Sequence, residues 1–287
     1  MSARLEVKSI AVIGAGTMGR GIAYAALAGG FRTLLHDVSA EILATAQTYV
    51  HDTLKKMRER GQWTGDPEKA AAALTLTPRL EDAAAADLII EAVPEDIRLK
   101  VETFGRLDKL ARPETLFASN TSSLSLTEMS AATRRGSRFL GMHFFNPVPK
   151  MKLIEVVYTA ETGEEALQTA EAVGRQMGKE TVRVKESPGF ATSRLNALIG
   201  NEAFRMLEEG IASPEDIDKA VKLGLNHPLG PFEMVDLVGL DVRLGVLDYL
   251  HRTLGERFQP SRILVEHVQA GRLGRKSGRG VYDYTKS

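Results

Sequence analysis

Up to about residue 184 the chain alternates short apolar runs with longer stretches whose apolar residues recur at helical spacing, so strands and helices are predicted in turn. Residues 10–13 read as a strand, the recurrence of Ile22, Ala25, Ala26 and Gly29 as a helix, and residues 31–36 as a second strand. Residues 40–60 keep a helical pattern, and residues 66–73 form the second arm of a helical hairpin. Further strands are predicted at 76–77, 88–93, 116–118, 139–144 and 153–157, with helices near 97–110 and 164–177. After a last strand at 181–184 the pattern changes at K-E-S-P-G-F. From Pro188 onward only helices and Gly/Pro turns follow: 189–207, a helix opened by Ser213 with Pro214 first and Asp216 placed for a capping box, then 240–253 and 261–270. The strand, helix, strand opening implies a parallel sheet with right-handed crossovers. The boundary falls near 185–188, dividing the chain into residues 1–185 and 186–287.

The turn between the first strand and helix is G-A-G-T-M-G, residues 14–19. Gly14 permits a tight turn, Gly16 lets backbone approach a pyrophosphate, and Gly19 lets the helix pack closely on the sheet. Thr17 and Met18 stand at the helix N-terminus, whose unpaired N–H groups attract phosphate. A glycine pattern alone is weak, but here Asp37 closes the second strand, where a carboxylate meets ribose hydroxyls. Its charge would repel a 2′-phosphate, which favours NAD over NADP. The fold class is therefore α/β: an N-terminal Rossmann-like dinucleotide-binding domain with a helical-hairpin insertion, followed by an all-α C-terminal domain.

His143 heads the stretch H-F-F-N-P, and Glu155 lies inside the apolar run L-I-E-V-V. An ionised carboxylate in a buried strand is costly unless something charged or hydrogen-bonding meets it, and His143 is the candidate partner. A histidine made more basic in this way can take a proton from a substrate hydroxyl near neutral pH. A loop histidine and a salt-bridged glutamate would leave the same trace, and the pair alone keeps both readings open.

Composition removes several function classes. Lys plus Arg and Asp plus Glu both number 37, so no overall basic field attracts nucleic acid or an anionic membrane. There is no cysteine, which excludes disulfides and thiolate chemistry and fits a reducing cytoplasm. No apolar run approaches membrane-spanning length, no secretory signal opens the chain, and no cluster of metal ligands is evident.

Taken in order, the Gly14 turn, E-A-V-P-E at 91–95, S-N-T-S-S at 119–123, H-F-F-N-P, P-G-F at 188–190, H-P-L-G-P-F at 227–232 and G-R-K-S-G-R-G-V-Y-D-Y at 274–284 span nearly the whole chain. In these motifs the chain resembles the 3-hydroxyacyl-CoA dehydrogenases, in particular the short bacterial 3-hydroxybutyryl-CoA branch. The resemblance implies NAD-dependent, reversible oxidation of an L-3-hydroxyacyl-CoA to the 3-ketoacyl-CoA in fatty acid metabolism, by β-oxidation chemistry. It also implies a helical second domain that dimerises. It matches His143 to the catalytic base, Glu155 to its partner and Ser122 to the hydroxyl that bonds the reacting oxygen. Asn120, Glu95 and Lys100 match residues around the nicotinamide ribose, although Glu95 and Lys100 could equally form a solvent-exposed helix pair. Thr53 and Arg60 match coenzyme A contacts on the hairpin, and Lys56 adds positive charge there, against a solvated helix face as the alternative. Asn146 could contact the pantetheine arm or only shape its turn.

One position departs from the family pattern P-G-F-x-x-N: this chain has Ser193 where the asparagine stands. Ser193 then acts with a shorter reach, or Asn196, one helical turn on, shares the work. Leu223, Leu225, Phe232, Met234 and Leu237 are candidates for a dimer surface or for core. Two other classes stay open: an NAD dehydrogenase of a hydroxy acid without coenzyme A, and a non-catalytic, crystallin-like protein.

Overall fold

The computed structural model describes residues 5–285, which form two compact units that divide between residues 186 and 187. In the first unit β1 (Ser9–Ile13), α1 (Thr17–Ala28) and β2 (Arg32–His36) lead into α2 (Ala40–Glu59) and the short α3 (Pro67–Ala71). Then follow β3 (Leu74–Thr77), β4 (Leu88–Glu91), α4 (Ile97–Asp108), β5 (Leu116–Ser119), α5 (Leu126–Ala131), β6 (Phe139–Phe144), β7 (Leu153–Tyr158), α6 (Glu164–Gln176) and β8 (Glu180–Lys185). The eight strands form one sheet in the order β3-β2-β1-β4-β5-β6-β7-β8. Strand order reverses at β1, which lies between β2 and β4, and ligands of such sheets bind at the carboxyl ends of the strands beside that reversal.

All neighbouring strands run parallel except β6 and β7, which are antiparallel. A parallel return needs a crossover of a dozen or more residues, and the loop between Phe144 and Leu153 is too short for one. The central strands are buried on both faces, because helices cover both, so they read as continuous apolar runs. The edge strand β8 is mostly exposed and is blunted by Arg183, paired with Glu164 and Glu171.

The second unit is helical: α7 (Thr192–Glu208), α8 (Pro214–Gly224), α9 (Pro231–Val238), α10 (Leu240–Leu254) and α11 (Arg262–Gln269). Its core joins Phe204, Ile217, Phe232, Leu247, Leu250 and Leu264, with Phe204 meeting Phe232 edge to face at 5.0 Å between ring centroids. Phe232 is thus core and not a surface for a partner, whereas Leu223, Leu225 and Leu237 are exposed and Met234 is half-buried. Ser213 caps α8 by accepting from the Asp216 N–H, while its hydroxyl donates to the Asp216 carboxylate, so the reciprocal half of the expected capping box is not made.

Two buried aspartates organise this unit. Asp218 accepts from the Phe232 and Glu233 N–H groups at the start of α9 and from the Tyr282 hydroxyl. Asp236 accepts from the Val281 and Tyr282 N–H groups and the Tyr284 hydroxyl, which pins the C-terminal segment to α9. A Cβ at Gly280 would lie 2.0 Å from the Asp236 carboxylate, so only glycine fits there. The G-R-G-V-Y-D-Y motif is accounted for by this packing.

Candidate active site

The glycine turn sits at the strand-order reversal. Gly14 has φ +95°, its N–H donates to the His36 carbonyl, and a Cβ on it would meet the Ala92 carbonyl oxygen at 2.6 Å. A Cβ at Gly19 would collide with the Gly14 carbonyl oxygen at 1.7 Å, which fixes how closely α1 packs on the turn. Gly16 differs: nothing lies within 4 Å of the position its Cβ would take, it is exposed, and as N-cap of α1 it offers no side-chain cap. With Thr17 exposed, Met18 half-buried and no acid in the first turn, the α1 terminus presents N–H groups to an anion, and the residues fit a dinucleotide.

Asp37 accepts from the Ala15 N–H through Oδ2 and from the Ser39 N–H through Oδ1. It therefore braces the glycine turn. Burial holds the neighbouring His36 below its ordinary pKa, so at neutral pH it supplies no cation for a 2′-phosphate.

Further along the same sheet, near the carboxyl end of β6, the β6–β7 register places His143 directly opposite Glu155. Directly opposed residues bring their Cβ atoms to about 5 Å, and the His143 Nδ1 lies 2.7 Å from the Glu155 Oε2. Glu155 is fully buried, His143 is 4% exposed, and the Phe145 ring tilts over the imidazole at 4.5 Å between centroids. The carboxylate holds Nδ1 and so fixes the orientation of the imidazole ring.

The loop after β5 stands beside this pair. Asn120 is buried and its Oδ1 accepts from the Phe144 N–H, tying the end of β5 to the residue after His143. Glu95 accepts from the Thr121 hydroxyl and the Ser122 N–H, leaving the Ser122 side chain on an exposed position. The cap of α5 is Ser125, which accepts from the Glu128 N–H, so Ser122 has no capping duty.

Lys100 is not a solvent-exposed helix residue. It is 1% exposed, its Nζ donates to Glu91 at 2.6 Å and to the Val93 carbonyl, and it pairs with Glu95 at 3.2 Å. Glu91, fully buried, also accepts from the Ser119 hydroxyl and the Val93 N–H. Burial pushes its pKa up, and Lys100, Ser119 and Val93 pull against that. A connected network thus runs from the end of β4 through Lys100 and Glu95 to the loop bearing Ser122. Sequence reasoning named Lys100 and Glu95 but passed over Glu91.

Lys179 was also missed. It is 8% exposed and donates to the Val148 and Met151 carbonyls, holding the loop that follows His143. Burial lowers its pKa to about 8. The Val148 side chain fills the space over Gly21 of α1, so this loop is gripped between the nucleotide helix and Lys179. Asn146, on the same loop before the cis Pro147, is exposed.

On the hairpin, Thr53 donates to the Tyr49 carbonyl and is half-buried, while Lys56 and Arg60 are exposed. Ser193 and Asn196 both lie half-buried in the first turns of α7, in the second unit. Among the described residues no group of three or more His, Cys, Asp or Glu could hold a metal, and no helix is long and apolar enough to cross a membrane.

The glycine turn and the His143–Glu155 pair stand at the carboxyl ends of parallel strands of one sheet, which is the arrangement of an alcohol dehydrogenase that uses a nicotinamide dinucleotide. Comparison with known proteins narrows that class. Residues 9–187 match the model for the 3-hydroxyacyl-CoA dehydrogenase NAD binding domain, and residues 189–284 match the model for the C-terminal domain. The chain belongs to the 3-hydroxyacyl-CoA dehydrogenase family, and its cofactor is NAD.

The chain is 43% identical over 282 residues to a probable 3-hydroxybutyryl-CoA dehydrogenase of Bacillus subtilis, covering 98% of each chain. It is 42% identical to the mitochondrial hydroxyacyl-coenzyme A dehydrogenase of Rattus norvegicus, covering 98% of this chain and 92% of that one. The crystal structure of (S)-3-hydroxybutyryl-CoA dehydrogenase from Ralstonia eutropha superposes with a TM-score of 0.93 at 39% identity, covering 98% of this chain and 100% of that one.

Proposed function

We propose that this chain catalyses the reversible, NAD-dependent oxidation of L-3-hydroxyacyl-CoA to 3-ketoacyl-CoA, with short acyl chains such as 3-hydroxybutyryl as its substrates. The observation that carries the chemistry is the buried His143–Glu155 pair, held 2.7 Å apart by strand register in the sheet that bears the nucleotide turn. The glycine turn and Asp37 would hold NAD, which would supply the acceptor for the hydride of carbon 3. His143 Nε2 takes the proton of the 3-hydroxyl as the C–H electron pair leaves, and Glu155 stabilises the imidazolium that results. The Ser122 hydroxyl bonds the reacting oxygen, as donor or acceptor. In reverse, His143 returns the proton to that oxygen.

The backbone of Gly14, Gly16, Thr17, Met18 and Gly19 receives the pyrophosphate, and Asp37 the adenosine ribose. Asn120, Glu95 and Lys100 surround the nicotinamide ribose. Thr53, Lys56 and Arg60 bind the nucleotide end of coenzyme A, Asn146 its pantetheine arm, and Ser193 with Asn196 the substrate from the second domain. In this reading residues 1–185 bind NAD, residues 186–287 contribute to substrate binding and form a homodimer, and the enzyme works in the cytoplasm without a metal. The exposed Leu223, Leu225 and Leu237 suit the dimer surface. No observation favours the hydroxy-acid or structural-protein alternatives.

Following NADH absorbance with acetoacetyl-CoA and with free acetoacetate tests this. The thioester should be reduced and the free acid turned over far more slowly. Equal use of both would overturn the coenzyme A reading.

A further inference from the structure

Arg20 is a cation that the dinucleotide reading does not use. It follows Gly19 in α1, yet its side chain leaves the phosphate-facing end of that helix and crosses to α2. There its Cζ lies over the Tyr49 ring, 4.4 Å from the centroid. Its Nε is buried with no hydrogen-bond partner, and no carboxylate pairs with it among the described residues. A stacked ring satisfies one face of a guanidinium but none of its N–H groups. Among the described residues no acceptor meets the buried Nε.

Tyr49 also begins a stripe. Tyr49, Thr53, Lys56 and Arg60 recur at helical spacing on α2, beside the buried face formed by Ala46, Val50 and Leu54. The basic cluster of α2 therefore sorts into two sets. His51 and Lys55 contact Glu68 of α3, and Arg58 donates to the Thr64 carbonyl, so these three tie the hairpin together. Lys56 and Arg60 have no ion pair among the described residues and stand on the Tyr49 stripe. Arg20 joins them at its upper end. Arg20, Lys56 and Arg60, none of them in an ion pair among the described residues, stand along one helix face and would suit an anion.

We propose that Arg20 is a specificity-determining residue of the coenzyme A subsite, donating to a phosphate group of the thioester while Tyr49 holds the guanidinium plane in place. The proposal rests on the coenzyme A reading above and adds to the hairpin a residue from the nucleotide helix itself. A guanidinium restrained by stacking loses little freedom on binding and can meet two phosphate oxygens at once.

The test compares Arg20→Met and Arg20→Lys with the parent chain, using NADH with acetoacetyl-CoA, acetoacetyl-3′-dephospho-CoA and acetoacetyl-pantetheine. Arg20→Met should raise KM for acetoacetyl-CoA about tenfold, as loss of a hydrogen bond to a charged group implies. It should leave kcat, KM for NADH and KM for acetoacetyl-pantetheine unchanged, and Arg20→Lys should recover part of the loss. If the penalty disappears with the dephospho substrate, the partner is the 3′-phosphate; if it persists there, the partner is the pyrophosphate. An equal penalty with acetoacetyl-pantetheine, or a raised KM for NADH, overturns the assignment. A parent chain that reduces no thioester fails the reading beneath and takes the proposal with it. Normal reduction of all three substrates by Arg20→Met overturns Arg20 alone.

Discussion

Both units bury carboxylates, but they satisfy them differently. In the sheet unit Glu155 faces an imidazole and Glu91 faces an ammonium. In the helical unit Asp218 and Asp236 face backbone N–H groups and tyrosine hydroxyls. A backbone amide does not ionise near neutrality, so an acid held by amides is a pin. An acid held against a titratable ring can stabilise that ring in either protonation state, so it can serve a reaction. Burial alone therefore does not mark a functional carboxylate. The chemistry of its partner does.

The largest effect should come from breaking the titratable pair. His143→Gln or Glu155→Gln should lower kcat by roughly 10²- to 10⁴-fold while NADH binding, followed by fluorescence, stays normal. Near-normal turnover in either variant would show that the pair is a pin like those of the helical unit.

Next comes a pin itself. Asp236→Asn leaves three donors facing an amide with a single acceptor oxygen, and should cost about 3 kcal/mol of unfolding free energy. The folded variant should keep its kcat. A fall in kcat at unchanged urea midpoint would erase the distinction drawn between the two units.

The smallest effect concerns Lys179, a buried cation that has neither kind of carboxylate. Folded, it gives up its proton near pH 8, whereas in the unfolded chain it does so near its ordinary value of 10.5. Between those values the unfolded chain binds more protons, so stability rises with pH: the cost of burying the charge is fully present below pH 8 and gone above 10.5. Lys179→Met should remove this rise, a difference of about 1 to 3 kcal/mol across the window in urea unfolding. A variant whose stability follows the same slope as the parent would refute it.

The fold was legible where the chain repeats a simple period. Apolar runs located the strands, and the glycine turn with Asp37 located the nucleotide edge. The antiparallel turn of β7 was written in the short connection after Phe144, but hydrophobic pattern carries no strand direction. In the site, contiguous motifs stood out and dispersed partners did not. Glu91 sits in L-I-I-E with the same mark that singled out Glu155, an acid in an apolar strand, yet no nearby histidine drew attention to it. Lys100 stayed open to reading as a solvent-exposed helix residue and Lys179 carried no mark, because a lysine's burial depends on what the rest of the fold brings over it. Phe232 stayed open between partner surface and core because its cover, Phe204, lies far off in sequence.

The opposed position of His143 and Glu155 on β6 and β7 has a consequence for how the enzyme fails. β7 is an interior strand, paired with β6 on one side and β8 on the other. A slip of one residue would turn both side chains to opposite faces, and no change of rotamer could bring them back. The dyad has no loose intermediate setting: it persists while the sheet persists. Heat should thus switch off chemistry abruptly, with the melting of the sheet, while the exposed loop of Ser122 can soften earlier and blunt substrate placement without touching the proton acceptor.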